Sequence, residues 1–256
     1  MDKKTFLNFI NTEDKNLLSN IYDKIKLAEK ITGPVFTNEY YGPNIWKAVI
    51  NLKREFNTGI YAYGVFEDCE RRMLSFSKEE VYTYPIKVIK ITNKSKFQKL
   101  KHKDYLGAVM ALGIKREKFG DLIVKDNCCY GAFCEDIAEF IVYNLNSVGK
   151  CPCIVEILEE ADIENIKVNT EDFQLISTSL RLDSIVSALC NISRAKSVDV
   201  IRSGKVLVDY MEVYEKDKLV EFSSTVTIRG YGKYKIVEES GSTQKGRLKL
   251  FIRKYI

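Results

Sequence analysis

Near the end of the chain, apolar residues recur at helical spacing twice within about twenty positions: Leu182, Ile185, Val186 and Leu189, then Ala195, Val198 and Ile201. Between the two stripes stands Ser193, where an N-cap hydroxyl can accept from the amides of the next turn. Gly204 follows the second stripe, where a helix end calls for positive φ. The strand-like run Lys205 to Val208 comes next, so the pattern predicts helix, helix, strand. Farther on, Val226 and Ile228 alternate with Thr225, Thr227 and Arg229, and Tyr234 and Ile236 alternate with Lys233 and Lys235. Strands patterned this way carry a basic polar face over an apolar underside.

Earlier in the chain, residues 82–160 read as β-α-β-β-α-β. A strand runs from Pro85 to Thr92, a capping-box start at Ser95-Lys-Phe-Gln98 opens a helix to Ala111-Leu112, and Gly113 stops it. A hairpin turns about Asp126-Asn127. The next helix has Ile137, Phe140, Ile141 and Leu145 on one face, and Cys153 to Leu158 forms the last strand. This is the order of a ferredoxin-like plait, shared by RNA-recognition domains. Tyr130 and Phe133 fall on opposite faces of their strand, so the paired aromatics of such domains are not met.

Residues 1–80 predict a helical unit closed by a hairpin. Its stripe is Leu17, Leu18, Ile21, Ile25 and Ala28, a second helix follows Pro43, and strands at 60–66 and 72–76 flank an acidic turn. The polar stretch from Glu159 to about Ser177 predicts a linker. The expected organisation is α+β with three parts: 1–80, 82–160 and 178–256.

Charge changes this picture when divided by position. From Ile176 onward there are 15 Lys+Arg against 9 Asp+Glu, while the preceding residues hold 25 against 26, so the formal excess of +5 comes from the last third. Such a basic surface suits phosphate, because neutralising phosphates releases condensed counterions. No apolar run approaches the length of a membrane span and the first residues lack a signal-peptide block, so a cytoplasmic protein with no membrane partner is expected, most simply a monomer. Seven cysteines without paired Cys-x-x-Cys knuckles, beside a single histidine, predict buried thiols, with neither metal nor cofactor.

The segment with Arg181-Leu182-Asp183, Ser193-Arg194, Ile201-Arg202-Ser203-Gly204-Lys205-Val206-Leu207-Val208 and Ile228-Arg229-Gly230 resembles the RNA-binding domain named after small-subunit ribosomal protein S-four. That family has Asn-Gly where this chain has Asp209-Tyr210 and Gly-Asp where it has Ser223-Ser224, so those loops are expected to differ in shape. With the blocks Tyr63 to Leu74 and Leu100 to Val124, the whole chain resembles the YlmH family of bacterial RNA-binding proteins. The resemblance implies binding to the large ribosomal subunit through rRNA, with tRNA a further partner. It also implies rescue of stalled ribosomes by supporting C-terminal tail addition on the trapped chain.

The residues chosen for RNA are Arg181, Arg194, Lys196, Arg202, Lys205, Arg229, Lys233 and Lys235, joined by His102, Lys103 and Arg116 from a basic stretch of the central part, Lys96 to Lys118. No catalytic residue is assigned. Arg181-Leu182-Asp183 is like the triplet holding the catalytic aspartate of pseudouridine synthases, but here it opens a short helix, where Asp183 favours the positive helix end. A tRNA synthetase would need histidine-containing nucleotide motifs that one His102 outside any such motif does not supply. A cell-division scaffold, or an RNA-modifying enzyme anchored by its C-terminal part, are the alternative classes.

Overall fold

The computed structural model describes residues 1–10, 12, 14–163, 166–168 and 170–255, apart from the Glu160 side chain, and divides into two compact units, Met1–Val168 and Asn169–Ile256. The first begins with α1 (Lys3–Phe9), α2 (Lys15–Ala28), β1 (Val35–Tyr41), α3 (Pro43–Asn51), β2 (Gly59–Tyr63) and β3 (Arg72–Ser77). Asp2 and Asp14 cap the first two helices, accepting from the amides of Thr5 and Leu17. Leu18, Ile21, Ile25 and Ala28 are buried as their spacing predicts. The sheet has the order β1-β3-β2, and β1 was not foreseen: Val35 pairs with Phe76 and Tyr41 with Arg72, so β3 is central rather than half of a simple hairpin.

The plait follows as β4 (Ile86–Asn93), α4 (His102–Ala111), β5 (Phe119–Lys125), β6 (Cys128–Cys134), α5 (Glu135–Asn144), β7 (Ser147–Val148) and β8 (Cys151–Ile157), then the short α6 (Glu160–Ile163). Sheet order β5-β6-β4-β8-β7 with antiparallel neighbours is the ferredoxin-like arrangement, extended by β7. Asp126 and Asn127 both take positive φ, at 50° and 63°, as a two-residue hairpin turn requires. The first plait helix starts at His102, not at Ser95. Asp104 accepts from the Lys101 amide at 2.7 Å, whereas Ser95 caps only its own loop. Phe140 is 47% exposed, against expectation, because the buried residues of α5 and its end are Ala138, Ile141 and Leu145 and Phe140 lies off that row.

Both faces of the plait sheet carry packed layers. Ile89, Ile91, Cys129 and Phe133 pack with Tyr105, Val109 and Ile141 of the helices. On the opposite face Val88, Ala132 and Cys134 pack with Tyr40, Phe66 and Met73 from the first eighty residues. Polar groups join the same two layers: Asp121 accepts from the amides of Glu70 at 2.5 Å and Arg71 at 3.3 Å, and Arg71 donates to the Tyr40 carbonyl at 2.6 Å. The segments 1–80 and 82–160 therefore form one body.

The second unit contains β9 (Thr170–Ser177), α7 (Leu182–Cys190), α8 (Arg194–Arg202), β10 (Val206–Val208), β11 (Met211–Glu212), β12 (Thr225–Ile228), β13 (Gly232–Ser242) and β14 (Leu248–Tyr255), with sheet order β11-β10-β12-β13-β14-β9. From Thr170 the stretch expected to be linker is instead strand, in unbroken register from Thr170 opposite Tyr255 to Ser177 opposite Leu248, so the unit begins before 178. Leu182, Ile185, Val186 and Ile201 pack on Val226, Ile228, Ile236 and Ile252 beneath the two helices. Ser193 caps α8 by accepting from the Lys196 amide at 3.3 Å. Gly204 has φ +69°, and a Cβ there would lie 3.2 Å from the Tyr214 hydroxyl. Within α8 the buried residues are Ser197 and Ile201, while Ala195 is exposed: Ser197 donates to the Asp183 carbonyl at 2.9 Å and so takes the place against α7.

Candidate nucleic-acid interface

The corner between α7 and α8 is organised by Asp183, whose side chain is only 5% exposed. Arg181 donates to it from Nε at 3.2 Å and from Nη2 at 3.4 Å, and Arg194 donates from Nη2 at 2.7 Å. Two guanidiniums are thereby aimed from one buried carboxylate, and the Arg194 side chain still keeps 55% of its surface in water. Burial alone would raise the Asp183 carboxyl, but the bonds from Arg181 and Arg194 outweigh it and hold its pKa below the usual carboxylate range. Sequence reasoning saw in Asp183 a helix-dipole residue and missed this positioning role, which needs a partner eleven residues away.

A pH test follows. With the folded pKa below the unfolded value of about 3.9, the stability this carboxylate contributes is complete above that value and is lost as pH falls through the folded one. Asp183→Asn should lower the stability of the second unit by about 1–2 kcal/mol at neutral pH. The difference from wild type should close in acid, below roughly pH 3. Thermal melts across pH check this, and a deficit constant with pH would count against it.

The other cations of this unit do not share one face. Lys196 is exposed in the first turn of α8, while Arg202 in its last turn, about 9 Å farther along the helix, and Lys205 beyond Gly204 are exposed at the far end. Arg229 joins that end, donating to the Gly204 carbonyl at 3.3 Å and to Glu212 at 2.8 Å. Lys233 and Lys235 lie across the sheet from the helices, since their strand neighbours Tyr234 and Ile236 are in the core. Lys233 sits 5.0 Å from the Tyr210 ring centre and 5.2 Å from that of Tyr255, and burial lowers its ammonium to about 8.

The turn at Asp209-Tyr210, between β10 and β11, and the loop at Ser223, before β12, both take left-handed backbone. Asp209 and Tyr210 have φ of 48° and 70°, the left-handed pair that Asn-Gly would adopt, and Ser223 has φ 65°. The backbone thus keeps positive φ at these turns without glycine. A bulky residue there costs on the order of 1–2 kcal/mol; the Asp209 carboxylate, accepting from the Thr225 amide at 3.0 Å, and Lys233, donating to the Tyr210 hydroxyl at 3.1 Å, hold it in place. Tyr210 beside Lys233 was not read from the sequence; its signal was an aromatic residue in a tight turn, where glycine is the usual choice.

In the first unit, His102 and Lys103 are exposed at the start of α4. Partial desolvation by neighbouring protein atoms, followed by the nearby Arg116, lowers the His102 pKa although the residue as a whole is exposed. Arg116 is committed to structure: its Nη1 donates to the carbonyls of Phe119 at 2.6 Å and Gly120 at 3.0 Å, and its guanidinium lies 4.4 Å from the Phe119 ring centre. The plait face that open RNA-recognition sheets present is largely covered, with Lys90, Tyr130 and Glu156 left at its margin, Lys90 and Glu156 paired at 2.9 Å. All seven cysteines are free, and among the described residues no group of three His, Cys, Asp or Glu could hold a metal. No helix among them is long and apolar enough to cross a membrane.

A ferredoxin-like plait joined to a basic α+β unit defines the class: an α+β protein with an RNA-binding domain. Residues 79–165 match the family model described as "Putative RNA-binding domain in YlmH". It is 26% identical over 195 residues to the Bacillus subtilis (strain 168) protein named "Ribosome-associated protein quality control protein P2", covering 75% of this chain and 76% of that one. The solved structure titled "Cell division protein ylmH from Streptococcus pneumoniae" aligns with a TM-score of 0.49 and 22% identity, over 59% of this chain and 94% of the other.

Proposed function

We propose that this protein is a non-catalytic RNA-binding factor of the large ribosomal subunit, acting in the cytoplasm in the rescue of stalled ribosomes. In this reading the second unit is an S-four-like RNA anchor that engages rRNA, and where geometry allows tRNA, while tail elongation proceeds on the trapped nascent chain. The name of the Bacillus subtilis relative supports the ribosomal setting. The observation that carries the reading is the α7–α8 corner, where a buried aspartate aims two arginines outward beside exposed Lys196. Pre-positioned guanidiniums suit bidentate bonds to phosphate. The same arrangement speaks against a catalytic Asp183: a carboxylate engaged by two arginines and held at low pKa is a poor base or nucleophile near neutral pH.

Sedimentation of the full chain with purified ribosomal subunits through sucrose, at low and high salt, tests the proposal. Migration with large subunits that disappears on raising salt is the expected result. A salt-insensitive complex with protein and no subunit association would replace it with the scaffold reading.

A further inference from the structure

The loop joining β4 to α4, residues 94–101, is tied down by a buried amide. Asn93 is 3% exposed; its Nδ2 donates to the Gln98 carbonyl at 2.8 Å and to Asn127 Oδ1 at 3.0 Å, and its Oδ1 accepts from the Ser95 amide at 2.9 Å. Asn127 Nδ2 donates back to the Asn93 carbonyl at 2.8 Å, and the Ser95 hydroxyl accepts from the amides of Phe97 and Gln98 at 3.4 and 3.2 Å. On this braced backbone the Phe97 ring stands 99% exposed. A lone exposed phenylalanine says little, but this one is set among Lys94, Lys96, Lys99 and Lys101, all exposed and none with an ion-pair partner among the described residues. The nearest carboxylate in sequence, Asp104, is occupied by the Lys101 amide.

We propose that this loop binds an unpaired nucleotide of RNA, its base stacked on Phe97 and its flanking phosphates met by Lys96 and Lys99. An aromatic platform within a cationic frame is what single-stranded nucleic acid requires, since every base offers a π-face and every linkage a charge. A ring at a loop tip reaches only bases outside a duplex, so the partner is a looped, bulged or single-stranded segment. An anionic lipid surface would also attract four lysines, but the loop lies within residues 79–165, the part matched to an RNA-binding family. The inference rests on the RNA reading above and places on the first unit an RNA interaction that reading does not require.

The test uses the full chain with a short fluorescein-labelled RNA of mixed sequence, as single strand and as blunt duplex, followed by anisotropy over a salt series. Phe97→Ala should weaken single-strand binding about tenfold, the scale of one stacked base, with an unchanged salt slope. Phe97→Trp should restore it, and duplex binding should not respond. Lys96→Gln with Lys99→Gln should flatten the slope by about one to two units. Thermal melts of all variants should match wild type, because the ring is exposed on both faces. Wild-type single-strand affinity in Phe97→Ala, equal losses on both RNAs, or a loss seen only on phosphatidylcholine vesicles containing phosphatidylglycerol would overturn the proposal. Substituting the α8 cations separates the two readings: if those variants leave the ribosome while Phe97→Ala binds single strands normally, the loop proposal alone fails.

Discussion

Leu182→Ala should cost the second unit about 2–5 kcal/mol and unfold much of it at physiological temperature. Leu182 is fully buried and opens α7, and it shares a core with Ile185, Val186, Ile201, Val226 and Ile252. Truncation removes the transfer energy of the deleted carbons and leaves a space that helices pinned on both sides cannot close. On one side the Leu182 and Asp183 amides donate to the carbonyls of Lys218 and Lys216 at 2.8 and 2.9 Å; on the other, Ser197 ties α8 to the Asp183 carbonyl. The measurement is denaturant unfolding of the full chain, with the two units followed separately by hydrogen exchange. The expected result is loss of protection confined to residues after 169; protection as in wild type would show that the α7 stripe is not the keystone of this core.

The opposite signature, impaired binding with intact folding, is expected when Lys196, Arg202 and Lys205 are replaced together by alanine. All three are exposed, and no ion pair engages them among the described residues. Surface changes of this kind shift stability by about 0.5 kcal/mol or less each. Two of them nearly offset, since a cation in the first turn of α8 opposes the helix dipole and one in the last turn complements it. Removing one cation–phosphate interaction should reduce the slope of log affinity against log salt by about 0.7–0.9, so a fall of up to two or three units and at least tenfold weaker binding to large subunits is expected. Arg194→Ala belongs in a separate experiment, because it also ends the 2.7 Å bond to Asp183 and should lower the melting temperature. An unchanged slope in the triple variant would move the RNA interaction to Lys233 and Lys235 on the outer sheet face.

Features set by neighbours in the chain were already written in the sequence. The stripes of α2 and α7, the Ser193 cap, the Asp126-Asn127 turn and positive φ at Gly204 all arise from spacing or from one residue's allowed backbone, and each stands in the structure. The order of the plait was legible for the same reason, because two amphipathic helices and four alternating strands were each marked locally. Wherever the deciding partner is remote, the outcome came from the tertiary fold. β9 read as connection because this edge strand buries little: only Leu175 and Ser177 are buried in it, and its identity comes from pairing with β14 some eighty residues away. The cover that the first eighty residues place over the plait depends on Asp121 reaching the amides of Glu70 and Arg71 across fifty positions. The candidate site divides along the same line. That these cations exist was plain from the composition, but which of them are aimed, paired or spread over opposite faces depended on Asp183, Glu212 and the side of the sheet on which each one fell.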